Sequence, residues 1–166
     1  MKQDLTTEIF CLNLKRMDAL AGQLRSALDL LAPQMPLDEQ NFDPQKLEPA
    51  TSLALDGFRA RFSDLQDMLG KSMFKSLARM DQEESPVNEL STRERLMLME
   101  KRGIIDADRW NQAREIRNAF THDYPDRHAE KAANYNAAWE SSGYLLEVVS
   151  NIHRYADDHY GTHPCD

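Results

Sequence analysis

Strand-forming runs are missing from this chain of 166 residues. Val, Ile and Thr never cluster with the alternation of a strand, and Val148-Val149 sits inside a helical pattern. A sheet is therefore not expected, and the chain reads as all-α. Glycine and proline are also scarce, at six and seven residues, which leaves few places for a helix to stop. No stretch approaches the roughly 20 apolar residues that cross a bilayer. The first ten residues, MKQDLTTEIF, lack the apolar core of a signal peptide. No membrane partner is expected. The only two cysteines, Cys11 and Cys165, stand at opposite ends without metal-ligand spacing. They read as two free thiols in a reducing cytosol, and the protein as cytoplasmic.

Familiar site motifs are absent as well. The chain has no H-E-x-x-H, no glycine-rich phosphate loop and no C-x-x-C pair. His153, Asp157, Asp158, His159, His163 and Cys165 are metal-binding residue types near the C-terminus, but their spacing matches no strong motif. Neither a metal nor a cofactor is expected.

What is present is charge and helical periodicity. The net charge of −8 argues against non-specific coating of nucleic acid, which takes a basic surface. The charge is segregated, however. From Arg93 to Lys131 nine basic residues face eight acidic ones, so this window carries +1 and the rest of the chain −9.

The length fits one domain, residues 1–166, with a real core. A first helix is expected from about Leu5 to Leu31. Phe10, Leu14, Met17, Ala21, Leu24, Leu28 and Leu31 recur at steps of three and four, and Leu5, Ile9, Leu12 and Leu20 widen that stripe. Pro33 and Pro36 end it. A second helix is expected from about Pro44 to Met80, on Leu55, Phe58, Phe62, Leu65, Leu69, Met73, Leu77 and Met80. Gly57 and Gly70 inside it mark a bend or a close approach by another helix. Ser91 and Glu94 form a capping box for a short helix that carries Leu96, Met97 and Met99 and stops at Gly103. Asp106 or Asp108 caps the next helix, with Trp110, Ala113, Ile116 and Phe120 as its stripe. Asp126 opens a last long helix to about Asp158, on Ala132, Tyr135, Trp139, Leu146, Val149, Ile152 and Ala156. Residues 160–166 are expected to fray. The sum is an up-and-down bundle of three long helices and one or two short ones.

Polar chemistry concentrates in Arg117-Asn118-x-x-x-His122-x-Tyr124-Pro125. On a helical wheel Arg117 lies about 20° from Trp110, inside the apolar stripe. A guanidinium there pairs with a buried carboxylate, snorkels to the rim, or lines a polar cleft. His122 would point about 140° away from Arg117 in a continuing helix. Pro125 disfavours helical backbone at Tyr124, so the helix should end near His122 or Asp123. There the helix dipole favours a protonated imidazole, which suits either a general acid or a capping side chain. Asn118 is four residues from His122 and could orient it or bind a phosphate oxygen. Tyr124 lies beside the same mouth, or packs on the following helix.

This pattern resembles the R-x4-H-x-Y signature of HEPN-domain ribonucleases, the HepT-like toxins in particular, and the asparagine after the arginine is typical of that group. The all-α plan, with the motif late and one long helix after it, agrees. The resemblance implies a homodimer whose motifs meet in a shared cleft and cut RNA without a metal. Arg117 would stabilise the phosphate and His122 move a proton, with Asn118 in support. It also implies an endoribonuclease toxin neutralised by a nucleotidyltransferase antitoxin, which in part of the family adenylylates the tyrosine at the place of Tyr124. Two rivals stand beside it. One is a non-catalytic HEPN-like module that binds such a partner or a nucleotide. The other is a structural dimer in which Arg117 is salt-bridged and His122 is a cap.

Overall fold

The computed structural model describes residues 2–122, 127–161 and 164–165, without the side chains of Lys2 and Gln3. Three long helical rods make an all-α bundle, and two short helices bridge the second rod to the third. Among the described residues there is no sheet, only an isolated bridge between Ser85 and Asn88. No described helix is long and apolar enough to cross a membrane.

The first rod, α1 (Lys2–Leu31), buries Phe10, Met17, Ala21, Leu24 and Leu31 completely, with Leu14 and Leu28 packed beside them. Its neighbours are the second and third rods, so it does touch more than one element. Leu5, Ile9 and Leu12 do not widen the buried stripe. They remain 58%, 40% and 67% exposed. The reason is angular: these three lie about 100–160° round the helix from Phe10, on a flank that no other element covers.

The second rod begins at Pro49 rather than Pro44. Residues 35–48 fold as turns closed by Asp38 and Asp43, which accept from backbone amides two and three residues on. Asn136 clamps this segment by bonding both the amide and the carbonyl of Leu37, each at 2.8 Å. The rod itself is α2 (Pro49–Met68), a π-helical turn (Leu69–Met73) and α3 (Phe74–Met80).

That π turn has a cause in the sequence. Leu65, Leu69, Met73 and Leu77 are spaced four apart three times running, which would drift about 120° round a regular helix. The π turn absorbs one extra residue, and all four side chains stay fully buried. It lies where Gly70 meets Trp110. A Cβ on Gly70 would stand 3.1 Å from Trp110 Cζ2, whereas one on Gly57 would meet nothing. Close approach therefore explains Gly70 and not Gly57.

α4 (Thr92–Lys101) starts on the expected capping box, with Ser91 Oγ accepting from the Glu94 amide and the Glu94 carboxylate from the Ser91 amide. It ends where Gly103, at φ 72, lets its own amide and that of Ile104 reach the carbonyls of Glu100 and Met99. Met99 is buried, but Met97 points outward and is 62% exposed. α5 (Ala107–Ala119) is capped by Asp106, which accepts from the Arg109 amide at 2.9 Å.

The last rod, α6 (His128–Tyr160), buries Ala132, Tyr135, Val149, Ile152 and Ala156 as expected, while Trp139 and Leu146 are half-buried. Its deepest line runs through Ala138, Ser142, Leu145 and Val148. Ser142 is tolerated there because its hydroxyl donates to the Ala138 carbonyl at 2.7 Å. Asp126, the expected cap, lies outside the described residues.

The cysteines and the tail correct two expectations. Cys11 and Cys165 are joined in a disulfide across 154 residues, with Cα atoms 5.3 Å apart, so neither is a free thiol. Opposite ends of the sequence meet because α1 and α6 pack side by side. A bond closing so long a loop removes unfolded-chain entropy worth on the order of 5 kcal/mol in the chain-entropy model. Tyr160 is not frayed either. Its hydroxyl donates to Asp81 Oδ1 at 2.5 Å, and its ring packs edge-on to Phe10. Burial raises its pKa well above the usual phenol value.

Candidate functional site

α5 is fixed at both ends before it presents any polar side chain. At its start, the Tyr144 hydroxyl of α6 donates to the Asp106 carbonyl at 3.0 Å and accepts from the Asp106 amide at 3.1 Å. In the middle Trp110 packs on Phe74, with ring centroids 4.8 Å apart, and against Gly70. At its end Phe120 seats its ring against Phe62 and Tyr135. Ala113 and Ile116 face the core. The residue one step beyond Ile116 is then carried to the edge of the second rod, just before the π turn.

Arg117 accordingly meets Asp67. Its Nη2 donates to Asp67 Oδ2 at 2.7 Å, and the two side chains are 26% and 30% exposed. Nη1 makes a long contact of 3.4 Å to Asn118 Oδ1. Nε is buried and has no hydrogen-bond partner among the described residues. The arginine on the apolar stripe is thus both paired and at the rim of a cleft. Its partner is held by one oxygen, and part of its fork of donors is left over.

That cleft is a hollow of about 400 Å³ between α5, the π turn, α3 and α4. Lys71, Lys75, Arg95, Arg114 and Arg117 line it, with Asp67 as the one carboxylate. Lys75 is paired with Glu89, and Arg95 with Glu84. Asp67 serves two cations, Arg117 at 2.7 Å and Lys71 at 3.6 Å. Arg114, on the same face of α5 as Arg117, is exposed and has no ion pair among the described residues. After this pairing about two positive charges remain unbalanced on the wall, in a chain whose total is −8. A phosphate diester fits that surplus, with two charge-assisted forks to hold it.

The remaining motif residues divide. Asn118 lines the hollow beside Arg117. His122 does not. α5 ends at Ala119, earlier than expected, with Phe120 as its C-cap. Thr121 and His122 follow in a turn whose amides bond the carbonyls of Asn118 and Ala119 at 3.1 and 3.2 Å. The four-residue helical spacing of Asn118 and His122 therefore does not put them on one face, because the helix stops between them. His122 is exposed at the helix end. Tyr124 lies outside the described residues.

Two residues of the site carried no sequence signal. Asp67 is one acid among many on α2, and its meeting with Arg117 is a tertiary event 50 residues apart. Lys71 joins it only through the four-residue helical spacing. Among the described residues no group of three or more His, Cys, Asp or Glu is placed to hold a metal. His153 instead pairs with Asp18 at 2.6 Å, and Cys165 is in the disulfide.

Comparison of the chain with family models, with curated proteins and with solved structures finds no match.

Proposed function

We propose that the chain is a metal-independent endoribonuclease of the HEPN type, the toxin of a toxin–antitoxin pair, with an active site completed by a second copy. The observation that carries this is Arg117, on the rim of a hollow with unbalanced positive charge in an otherwise acidic protein. Arg117 and Arg114 offer a phosphodiester more positive charge than the wall neutralises. That matters most when the phosphorus gains a fifth oxygen and further negative charge. In the cleavage, the 2′-oxygen bonds to phosphorus and gives up its proton, while the bond to the 5′-oxygen breaks and that oxygen takes one. The products are a 2′,3′-cyclic phosphate and a 5′-hydroxyl. Two proton transfers need two groups, one basic and one acidic. Copies of His122 from two subunits, each at a helix end beside the hollow of the other, would supply them.

A second reading is favoured by the ion pair itself. Asp67 already satisfies part of Arg117, and His122 lies off the wall of the hollow. A non-catalytic HEPN-like module would use the same cationic hollow to bind RNA, a nucleotide or a nucleotidyltransferase. Expression of the wild type, Arg117→Ala and His122→Ala without any partner separates the two. The nuclease arrests growth and fragments RNA in the wild type only. The binding module leaves RNA intact in all three, but loses RNA affinity in Arg117→Ala.

In the nuclease reading a nucleotidyltransferase antitoxin would act on Tyr124, adding an adenylyl phosphate whose charge repels RNA from the mouth. Mass spectrometry of the chain after co-expression should find that addition on Tyr124. The toxin reading places the chain in the cytoplasm, and the Cys11–Cys165 bond is of a kind that reducing compartments disfavour. A fully bridged chain in acid-quenched, alkylated cells would argue for an oxidising compartment and against an intracellular toxin.

A further inference from the structure

A second hollow, of about 600 Å³, lies between the uncovered flank of α1 and the turn after α3. Leu5, Ile9, Pro86 and Val87 supply its apolar surface beside Thr6, Ser76, Arg79, Gln82, Glu84 and Ser85, and Val87 is 98% exposed at the rim. This is the size of a small-molecule site, here with an apolar side and a polar one. One cation enters it. Arg79 has its Nε buried with no hydrogen-bond partner, and no ion pair to it exists among the described residues. The acid beside it, Glu84, is already committed. Its two oxygens take Arg95 Nη2 at 2.6 Å and Nε at 3.0 Å in a buried bidentate pair. Ser76 is engaged as well, accepting from Asn13 at 2.6 Å. The hollow thus sets an apolar side against one guanidinium that has no ion pair among the described residues.

We propose that this hollow binds an amphipathic monocarboxylate, a medium-chain fatty acid being the simplest member of the class. The acyl chain would cover Leu5, Ile9 and Val87, whose exposure leaves apolar surface in water. The carboxylate would take the free donors of Arg79, for which a planar two-oxygen acceptor is the matching shape. A cationic head fits poorly, since it would face Arg79 directly. The site stands apart from the Arg117 hollow and does not rest on the RNA proposal.

The test is calorimetric titration of the full chain with decanoate below its micelle concentration, with decylammonium as the charge-reversed probe. Wild type should bind decanoate saturably at one site, and at least tenfold more tightly than decylammonium. Arg79→Met should weaken decanoate at least tenfold while retaining its helical circular dichroism. If Arg79→Met does not fold, Val87→Glu serves instead. That side chain is almost fully exposed, so the change puts a carboxylate at the rim without touching the core, and it too should cost tenfold. The proposal is overturned if wild type shows no saturable binding. It is equally overturned if decylammonium binds as well as decanoate, or if the folded variant binds decanoate as wild type does.

Discussion

Two arginine–carboxylate pairs of this bundle look alike in sequence and differ in kind. Arg95 and Glu84 form a bidentate pair with side chains 9% and 0% exposed. Arg117 and Asp67 share a single close bond at 26% and 30% exposure, and Arg117 keeps a buried, unpartnered Nε. The first guanidinium also bonds the Leu90 carbonyl and has little left to offer a ligand. The second retains donors and faces a hollow. A buried pair is held because breaking it strands a charge, whereas a half-exposed pair is worth little and can be rearranged by a ligand. The same comparison separates the two hollows, because Arg95 lines one and Glu84 the other. Their bond is part of the wall between a cationic cleft and an apolar one.

The sharpest way to break that contrast is Glu84→Gln. It leaves Arg95 buried beside a neutral partner, so stability should fall by about 3–5 kcal/mol. In a thermal melt this is a drop of roughly 10 °C for a domain of this size. Next comes the wall of the cationic hollow. Gly70→Ala gains helix propensity but drives a methyl into the ring of Trp110, which is wedged against Phe74 and cannot yield. A loss of about 1 kcal/mol is expected in urea melts. Gly57→Ala meets no neighbour and should gain about 0.5–1 kcal/mol by the same measurement. The smallest stability effect should come from Asp67→Asn, under about 1 kcal/mol. Its effect should instead show in function. Under the proposed nuclease reading, RNA binding should tighten because a negative charge leaves the wall, and turnover should fall because Arg117 loses its anchor, so KM and kcat should drop together.

How much of this was legible beforehand follows from which forces are local. Helix starts were readable where a side chain caps its own helix, as with Ser91 and Asp106, since those bonds span three residues. The four-residue steps from Leu65 to Leu77 were also in plain view, but they read as one continuous helix, and the π turn that absorbs their drift was not expected. Leu5, Ile9 and Leu12 misled because periodicity identifies an apolar flank without saying whether anything covers it. The cysteines misled for a similar reason. The distance between sequence ends says nothing about space once the first and last rods pack together. At the site, the position of Arg117 on an apolar stripe left pairing, snorkelling and a cleft open, and the structure has it paired at the rim of a hollow. Asp67 could not be named, because nothing local distinguishes it from its acidic neighbours. His122 was expected one turn too deep in the helix. Phe120 closes α5 as its C-cap, with its ring set against Phe62 and Tyr135.

A role on RNA for Arg117, rather than for the bidentately held Arg95, separates the proposed nuclease from a plain helical bundle. It is tested most directly by incubating purified chain with a labelled single-stranded RNA in EDTA. Arg117→Ala and His122→Ala run beside the wild type, each checked for native melting. The proposal predicts wild-type cleavage to cyclic-phosphate ends without metal, and a loss of at least about 100-fold in either variant. Intact RNA with the wild type, or undiminished cleavage by Arg117→Ala, would contradict it.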